Sequence, residues 1–288
     1  MISPHFVSGK PAFSPLELEE LARLQKELAE KVVETPLPQT PRFIAGADMH
    51  LRGERAVAVA VCFELLSEPT SDEATDFLPL REIERAIAEQ KVTFPYIQGF
   101  LSFREAPVII EAVRALEQTP DLLVVDGQGR AHPRRCGLAS HVGVLLDLPT
   151  IGAAKSRLYG SYREPGPNRG AWTPLVAEGE IIGAAVRTRP SARPLIVSVG
   201  HRITLLEAIR WVLRLSRYRI PEPTRWAHRY AKAAAATIDT GWCPWSECSP
   251  GDRLAASFHL SPGPRSPQQC ECSRHAVSAR SRQTRPDA

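Results

Sequence analysis

Residues 43–66 read FIAGADMHLRGERAVAVAVCFELL. Two runs of apolar and small residues, 43–49 and 55–66, flank the turn-like Leu51-Arg52-Gly53-Glu54. That pattern specifies neighbouring strands of a hairpin. Asp48 stands at the end of the first strand, where a carboxylate is either a turn former or a group placed for chemistry.

A second short apolar run, Asp121-Leu-Leu-Val-Val-Asp126, is bounded by carboxylates and ended by Gly127, and reads as a buried strand. Upstream, Ser14-Pro15-Leu16-Glu17 has the form of a capping box with proline at the first helical position. Leu18, Leu21, Leu28 and Val32 follow at helical spacing, so a helix is expected over 15–33, ended by the proline-rich connector 35–41. Further helices are expected over 104–118, 137–146, 205–215 and 225–236, and strands over 150–153, 181–187 and 195–199. The acidic stretch 67–77 reads as a surface loop, and 83–91 is of undecided type. Strands interleaved with helices indicate an α/β chain, a three-layer fold with a central mixed sheet flanked by helices.

The chain has 288 residues, 43% of them apolar, 26 prolines and a net charge of +4. This is enough for a sizeable core, and the mild basicity suits an anionic partner without specifying one. No apolar run reaches the ~18 residues of a membrane span, and the N-terminus has no basic region leading into an apolar one. Cys62 and Cys136 read as reduced thiols of a cytoplasmic protein. Residues 1–13 read as a leader and 14–242 as the folded domain. The Ser-, Pro-, Arg- and Cys-rich segment 243–288 reads as a disordered tail. Its Cys243, Cys248, Cys270 and Cys272, with His259 and His275, match no common zinc spacing.

Asp48 and Asp126 end strands of one sheet, and Glu105 lies near a helix start. Like charges that converge are unfavourable unless a cation neutralises them, and three hard oxygen donors suit Mg²⁺ or Mn²⁺. After Asp126 the chain reads Gly127-Gln-Gly129-Arg-Ala-His132-Pro-Arg134-Arg135. Here glycines permit close backbone approach to a ligand, and His and Arg can contact phosphate. Lys155 follows the strand 150–153 and is either a solvated surface lysine or a positive charge at the same sheet end. His201 and His228 are either structural or ligands; His228 lies in an expected helix and its side chain can project toward the carboxylates. Tyr96 lies between Pro95 and Gly99 in FPYIQGFLSFREAP, residues 94–107, as a packed loop tyrosine or a presented one.

Taken in order, IAGADM, FPYIQGFLSFREAP, LLVVDGQGRAHPRRCGLASHVG, PTIGAAKSRL, GHRIT and YRIPEPTRWAH resemble the endonuclease V family, inosine-directed repair nucleases with a ribonuclease H-like fold. The resemblance covers residues 14 to 236. It implies metal ligation by Asp48, Glu105 and Asp126, with His228 at a fourth position, and Mg²⁺ as cofactor with Mn²⁺ able to substitute. It implies that Lys155 acts near the scissile phosphate. Pro95, Tyr96, Ile97 and Gly99 would form a wedge loop. Gly129, His132, Arg134 and Gly137 would lie near the active site or the nucleic-acid backbone, and His201 beside them.

The implied activity is cleavage of the second phosphodiester bond 3′ to deoxyinosine, leaving 3′-hydroxyl and 5′-phosphate ends. The implied partner is inosine-containing DNA, or RNA if the chain is an inosine-specific endoribonuclease. No membrane and no organic cofactor are expected, and of the oligomeric states, which the sequence does not reveal, a monomer is favoured. Two departures stand out. Gln98 replaces the second proline of the family's Pro-Tyr-Ile-Pro wedge, which predicts a less rigid loop, and Gln128 stands where His is frequent. A nuclease half of excinuclease C lacks its companion regions here, and a non-catalytic lesion binder built on the same fold would need a lost ligand.

Overall fold

The strand Arg55–Leu65 alternates alanine with valine, and the fold uses both faces of it. Successive strand side chains point to opposite sides. Ala56, Ala58, Ala60 and Cys62 therefore face one layer of helices, while Val57, Val59, Val61 and Phe63 face the other. The computed structural model describes residues 5–7, 10–67 and 77–237, all within the unit Met1–Pro244. The expected tail, its cysteines and most of the acidic loop lie outside the described residues.

The chain opens with a two-stranded antiparallel ribbon, β1 (His5–Val7) and β2 (Lys10–Ala12), where only a leader was expected. Helix α1 (Pro15–Glu30) follows, with the capping box of Ser14 and Glu17 fully formed. Then come β3 (Phe43–Arg52), β4 (Arg55–Leu65), β5 (Leu80–Lys91), α2 (Leu101–Arg114) and β6 (Leu122–Val125). The second half contains α3 (Leu138–Leu146), β7 (Thr150–Ala154), β8 (Trp172–Ala177), β9 (Glu180–Val186), β10 (Leu195–His201), α4 (Leu205–Arg214) and α5 (Glu222–Thr237).

Eight strands form one mixed sheet in the order β5-β4-β3-β6-β7-β10-β9-β8. The meander β3–β4–β5 is antiparallel, β3, β6 and β7 run parallel, and β10, β9 and β8 continue antiparallel. Helices α2 and α3 cover one face over the alanine-rich side of β3 and β4. Helices α4 and α5 cover the other, over Ile44, Leu122, Val124 and Ile151 for α4 and Val59 and Val61 for α5. Each fully buried Val, Leu or Ile contributes about 1.5–3 kcal/mol by leaving water. This is the ribonuclease H-like three-layer arrangement that the resemblance implies.

The frame places the carboxylates and the histidine through two local features. Register sets Ala47 of β3 beside Val125 of β6 in a parallel pair, so Asp48, which lies within β3 rather than at its expected end, comes beside Asp126, the residue after β6. Helix α5 docks against β3 at Gly46, where a Cβ would lie 2.1 Å from the Pro223 carbonyl carbon; only glycine permits that approach. No helix among the described residues is long and apolar enough to cross a membrane.

Candidate active site

Asp48, Asp126 and His228 each offer a ligand atom, and the three atoms lie within 4.8 Å of one another. The parallel pair β3–β6 supplies the carboxylates, and α5, seated on Gly46, supplies the imidazole. Asp48 Oδ1 accepts the Met49 N–H at 2.8 Å, and Asp48 Oδ2 lies 2.6 Å from His228 Nδ1. Asp126 Oδ2 is ion-paired with Lys155 Nζ, which reaches in from the residue after β7. The two carboxylates are only 13% and 12% exposed, against 48% for His228 and 39% for Lys155.

Burial has an electrostatic consequence. Desolvation first, and then the charge of Asp126, push Asp48 up to about 6, although the bonds from His228 and Met49 oppose the rise. Glu105 on α2 is pushed up to about 7 by burial and by the charges of Asp48 and Asp126, with Arg104 opposing. Glu105 stands outside the 4.8 Å set, so the geometry groups His228, rather than Glu105, with the two aspartates. Helix α2 starts at Leu101, three residues before the expected start, which places Glu105 in its second turn.

Two aspartates and an imidazole, with a glutamate within charge range, form a donor set for a hard divalent cation such as Mg²⁺ or Mn²⁺. Burial first and mutual repulsion second raise these carboxyls, and a bound cation would oppose both effects. The residues present fit a divalent ion.

A pocket of about 350 Å³ adjoins the cluster, lined among others by Tyr96, Gly99, Gln128 and Leu138, and it shares Asp126 with the cluster and includes that residue's partner Lys155. Its rim is the segment 94–100. Phe100 N–H donates to the Ile97 carbonyl at 3.0 Å, and Gly99 has φ +81°, the conformation of the third residue of a type II turn. Tyr96 is 68% exposed on this turn, while Pro95 and Ile97 are half-buried.

The turn is tied down from below. The Gly99 carbonyl accepts from Arg134 Nη2 at 2.6 Å and lies 3.1 Å from His132 Nε2. Arg134 N–H donates to His132 Nδ1 at 3.1 Å, which leaves the ring proton on Nε2, aimed at Gly99. Arg134 Nε donates to Gln25 Oε1 at 2.6 Å, Gln25 Nε2 donates to the Cys136 carbonyl at 2.5 Å, and the guanidinium lies 4.1 Å over the Phe100 ring. Phe94 packs against Phe13 and Phe103. His132 is 3% exposed, and burial, then Arg134 and Arg135, depress it to about 4, so it is neutral near pH 7. His132 and Arg134 thus sit under the loop holding it, and the stiffness absent at Gln98 comes from these ties.

Other expected residues have different surroundings. A Cβ on Gly129 would lie 2.0 Å from the Val199 carbonyl oxygen; close approach of β10, rather than of a ligand, accounts for this glycine. Gly137 packs against the Gln128 backbone at the start of α3 and also lines the pocket. His201 belongs neither to the cluster nor to the lining of the pocket. Its Nδ1 accepts from Val33 N–H at 3.2 Å and its Nε2 lies 3.1 Å from Asp147 Oδ1, a tie between the end of α1 and the end of α3. Sequence reasoning missed Gln25, fully buried beneath the loop. Its signal was a polar residue on the apolar stripe of α1, between Leu21 and Leu28.

Comparison with known proteins identifies the family. A family profile described as Endonuclease V matches residues 26–229. Endonuclease V of Roseiflexus sp. (strain RS-1) is 45% identical over 218 residues, 75% of this chain and 93% of that protein. Among solved structures, endonuclease V of Streptomyces avermitilis is 38% identical with a TM-score of 0.69, covering 83% of this chain and all of that one. Endonuclease V of Ciona intestinalis, solved with a 23mer DNA containing an inosine followed by a ribo-adenosine, is 23% identical with a TM-score of 0.64, covering 78% and 100%; at that identity it shows the fold alone. The paired aspartates on parallel strands, the histidine brought to them by α5 and these matches converge: the chain belongs to the endonuclease V family of nucleases.

Proposed function

We propose that this nuclease is a divalent-metal-dependent repair endonuclease. It recognises deoxyinosine and hydrolyses the second phosphodiester bond on the 3′ side, leaving 3′-hydroxyl and 5′-phosphate ends. The observation that carries the reading is the convergence of Asp48, Asp126 and His228 within 4.8 Å, with Asp126 also lining a pocket that includes an exposed tyrosine. The inosine-containing DNA bound by the Ciona protein supports the substrate class.

Asp48, Asp126 and His228 would hold the cation, with Glu105 completing the acidic wall. A bound divalent ion supplies Lewis acidity, lowering the pKa of water and neutralising charge on phosphate oxygens. Lys155, ion-paired with Asp126, would present its ammonium to the scissile phosphate and offset the charge that builds during displacement. Water attacks phosphorus, the bond from phosphorus to the 3′ oxygen breaks, and that oxygen takes up a proton. Buried walls around Asp48 and Asp126 keep these charges effective, because they act in a medium less polarisable than water.

Recognition falls to the pocket and the loop. The target base must leave the stack, at about a few kcal/mol and least for a mispair. Tyr96 fills the gap as a wedge, held in place by the grip of His132 and Arg134 on Gly99. Hypoxanthine lacks the exocyclic 2-amino group of guanine, so a close-fitting pocket rejects guanine by size. The test is cleavage of matched single- and double-stranded DNA and RNA oligonucleotides carrying one inosine, in Mg²⁺ and in Mn²⁺. Efficient cutting of the DNA substrates supports the proposal. Cutting of RNA alone would make the chain an endoribonuclease, and lesion binding without cutting in either metal would make it a binder.

A further inference from the structure

Lys155 lies just beyond the last rung of its strand. The β7–β10 ladder ends at Ala154 opposite Ile196, and residues 155–158 are exposed. A lysine on such a segment would ordinarily swing with its backbone. Here two consecutive carbonyls are held by side chains. The Lys155 carbonyl accepts from Arg219 Nη2 at 2.6 Å, and the Ser156 carbonyl accepts from Gln128 Nε2 at 2.8 Å.

Both holders are themselves fixed. Arg219 Nε donates to the Arg193 carbonyl at 2.8 Å and its Nη2 also reaches the Pro194 carbonyl at 3.3 Å, while its own carbonyl accepts from Thr188 Oγ1 at 2.6 Å. One guanidinium therefore staples the end of β7 to the entry of β10, where the ladder has stopped. A planar fork of donors suits three carbonyls as an ammonium cannot. The Gln128 backbone carbonyl accepts from Ala139 N–H at 2.9 Å, at the start of α3. Neither side chain is in the cluster of Asp48, Asp126 and His228.

We propose that Arg219 and Gln128 are positioning residues that clamp the Lys155–Ser156 backbone and thereby aim the Lys155 ammonium at Asp126 and the scissile phosphate. This rests on the role given to Lys155 in the proposed reaction. The clamp also gives Gln128 a function of its own, as donor to the Ser156 carbonyl.

The experiment compares Arg219→Ala, Arg219→Lys and Gln128→Ala, each alone and combined with Lys155→Ala. Three readouts are taken: single-turnover cleavage of a deoxyinosine duplex in Mg²⁺, affinity for that duplex with Ca²⁺ in place of Mg²⁺, and acylation of Lys155 in the metal-free chain by an amine reagent, read by mass spectrometry. Because ångström-scale misplacement of a reacting group costs up to about 100-fold, Arg219→Ala should slow cleavage about 10- to 100-fold with affinity unchanged. It should add nothing in the Lys155→Ala background, and Lys155 acylation should rise several-fold as its ion pair with Asp126 loosens. Arg219→Lys should fall between. If Arg219→Ala does not fold, Gln128→Ala carries the cleavage and acylation expectations through the Ser156 carbonyl; its affinity is left out of the comparison because Gln128 also lines the pocket.

Losses that multiply in the double variants, or acylation equal to wild type, would overturn the clamp. Wild-type cleavage by Lys155→Ala would instead remove the role assigned to the lysine, and the acylation readout would still decide whether the clamp holds it.

Discussion

Replacing Glu105 with glutamine should stabilise the metal-free chain at pH 8, although it removes a residue of the acidic site. Burial and the charges of Asp48 and Asp126 raise Glu105 from 4.5 to about 7. Between those values the folded chain holds a proton that the unfolded chain has lost, so stability falls as pH rises through the window and the whole penalty is present above pH 7. The difference converts to about 3 kcal/mol as an upper figure. Asp48, raised from 3.8 to about 6, contributes in the same direction, but the two share one repulsion and their penalties do not add. Glutamine keeps the shape without the charge, and for a domain of this size about 3 kcal/mol moves Tm by about 6–12 °C. His132 and His141, both depressed to about 4 by burial, work in the opposite sense, costing stability as pH falls from 6.5. Because they are present in both proteins, they cancel in the comparison. The assay is thermal unfolding of wild type and Glu105→Gln in chelator between pH 5 and 8. The gap should be widest at pH 8 and shrink to under about 1 kcal/mol at pH 5; saturating Mn²⁺ should reverse the order by binding the intact wild-type site. A variant less stable than wild type in chelator at pH 8, or a gap independent of pH, would refute the reasoning.

Asp48→Ala should retain affinity for a deoxyinosine duplex and lose cleavage by more than about 10³-fold, measured by gel shift and single-turnover kinetics. Tyr96→Ala should leave Tm within about 1 °C, because the side chain is 68% exposed, yet weaken lesion binding about 10-fold or more, read as Kd for inosine against undamaged duplex. Gly46→Ala forces a Cβ to 2.1 Å from the Pro223 backbone and should cost more than about 2 kcal/mol in denaturant unfolding, with α5 and His228 displaced from Asp48.

The two aspartates were legible in the sequence because each follows a short apolar run. Asp126 does follow the four-residue β6, but β3 continues through Asp48 to Arg52, so Asp48 lies inside its strand, level with the point where the parallel pairing to β6 stops. The edge strand β5 was not legible. Its REIERAIAEQ core is rich in good helix formers, and the charges that protect an exposed sheet edge erase the alternation that marks a strand. Strand β8 escaped for a related reason, since Pro174 and exposed Trp172 suit only an edge. The role of His132 was unreadable because a histidine beside arginines looks like a phosphate contact until its 3% exposure and its bond to Gly99 are seen. Arg219 likewise sits in an arginine-rich stretch of the sequence, and only the fold brings three carbonyls to it. The grouping of His228 with the aspartates ahead of Glu105 depends on how α5 docks at Gly46, a close packing that periodicity does not encode.

The most direct test of the central claim is the position and chemistry of the cut on a duplex carrying one deoxyinosine. With Mg²⁺ present, wild-type protein should give one product, broken at the second phosphodiester 3′ to the lesion, with a 3′-hydroxyl that a polymerase extends and a 5′-phosphate that a ligase joins. The same duplex with Asp126→Asn should stay intact. Breaks scattered along the strand, 3′-phosphate ends, or equal cutting by Asp126→Asn would contradict the account.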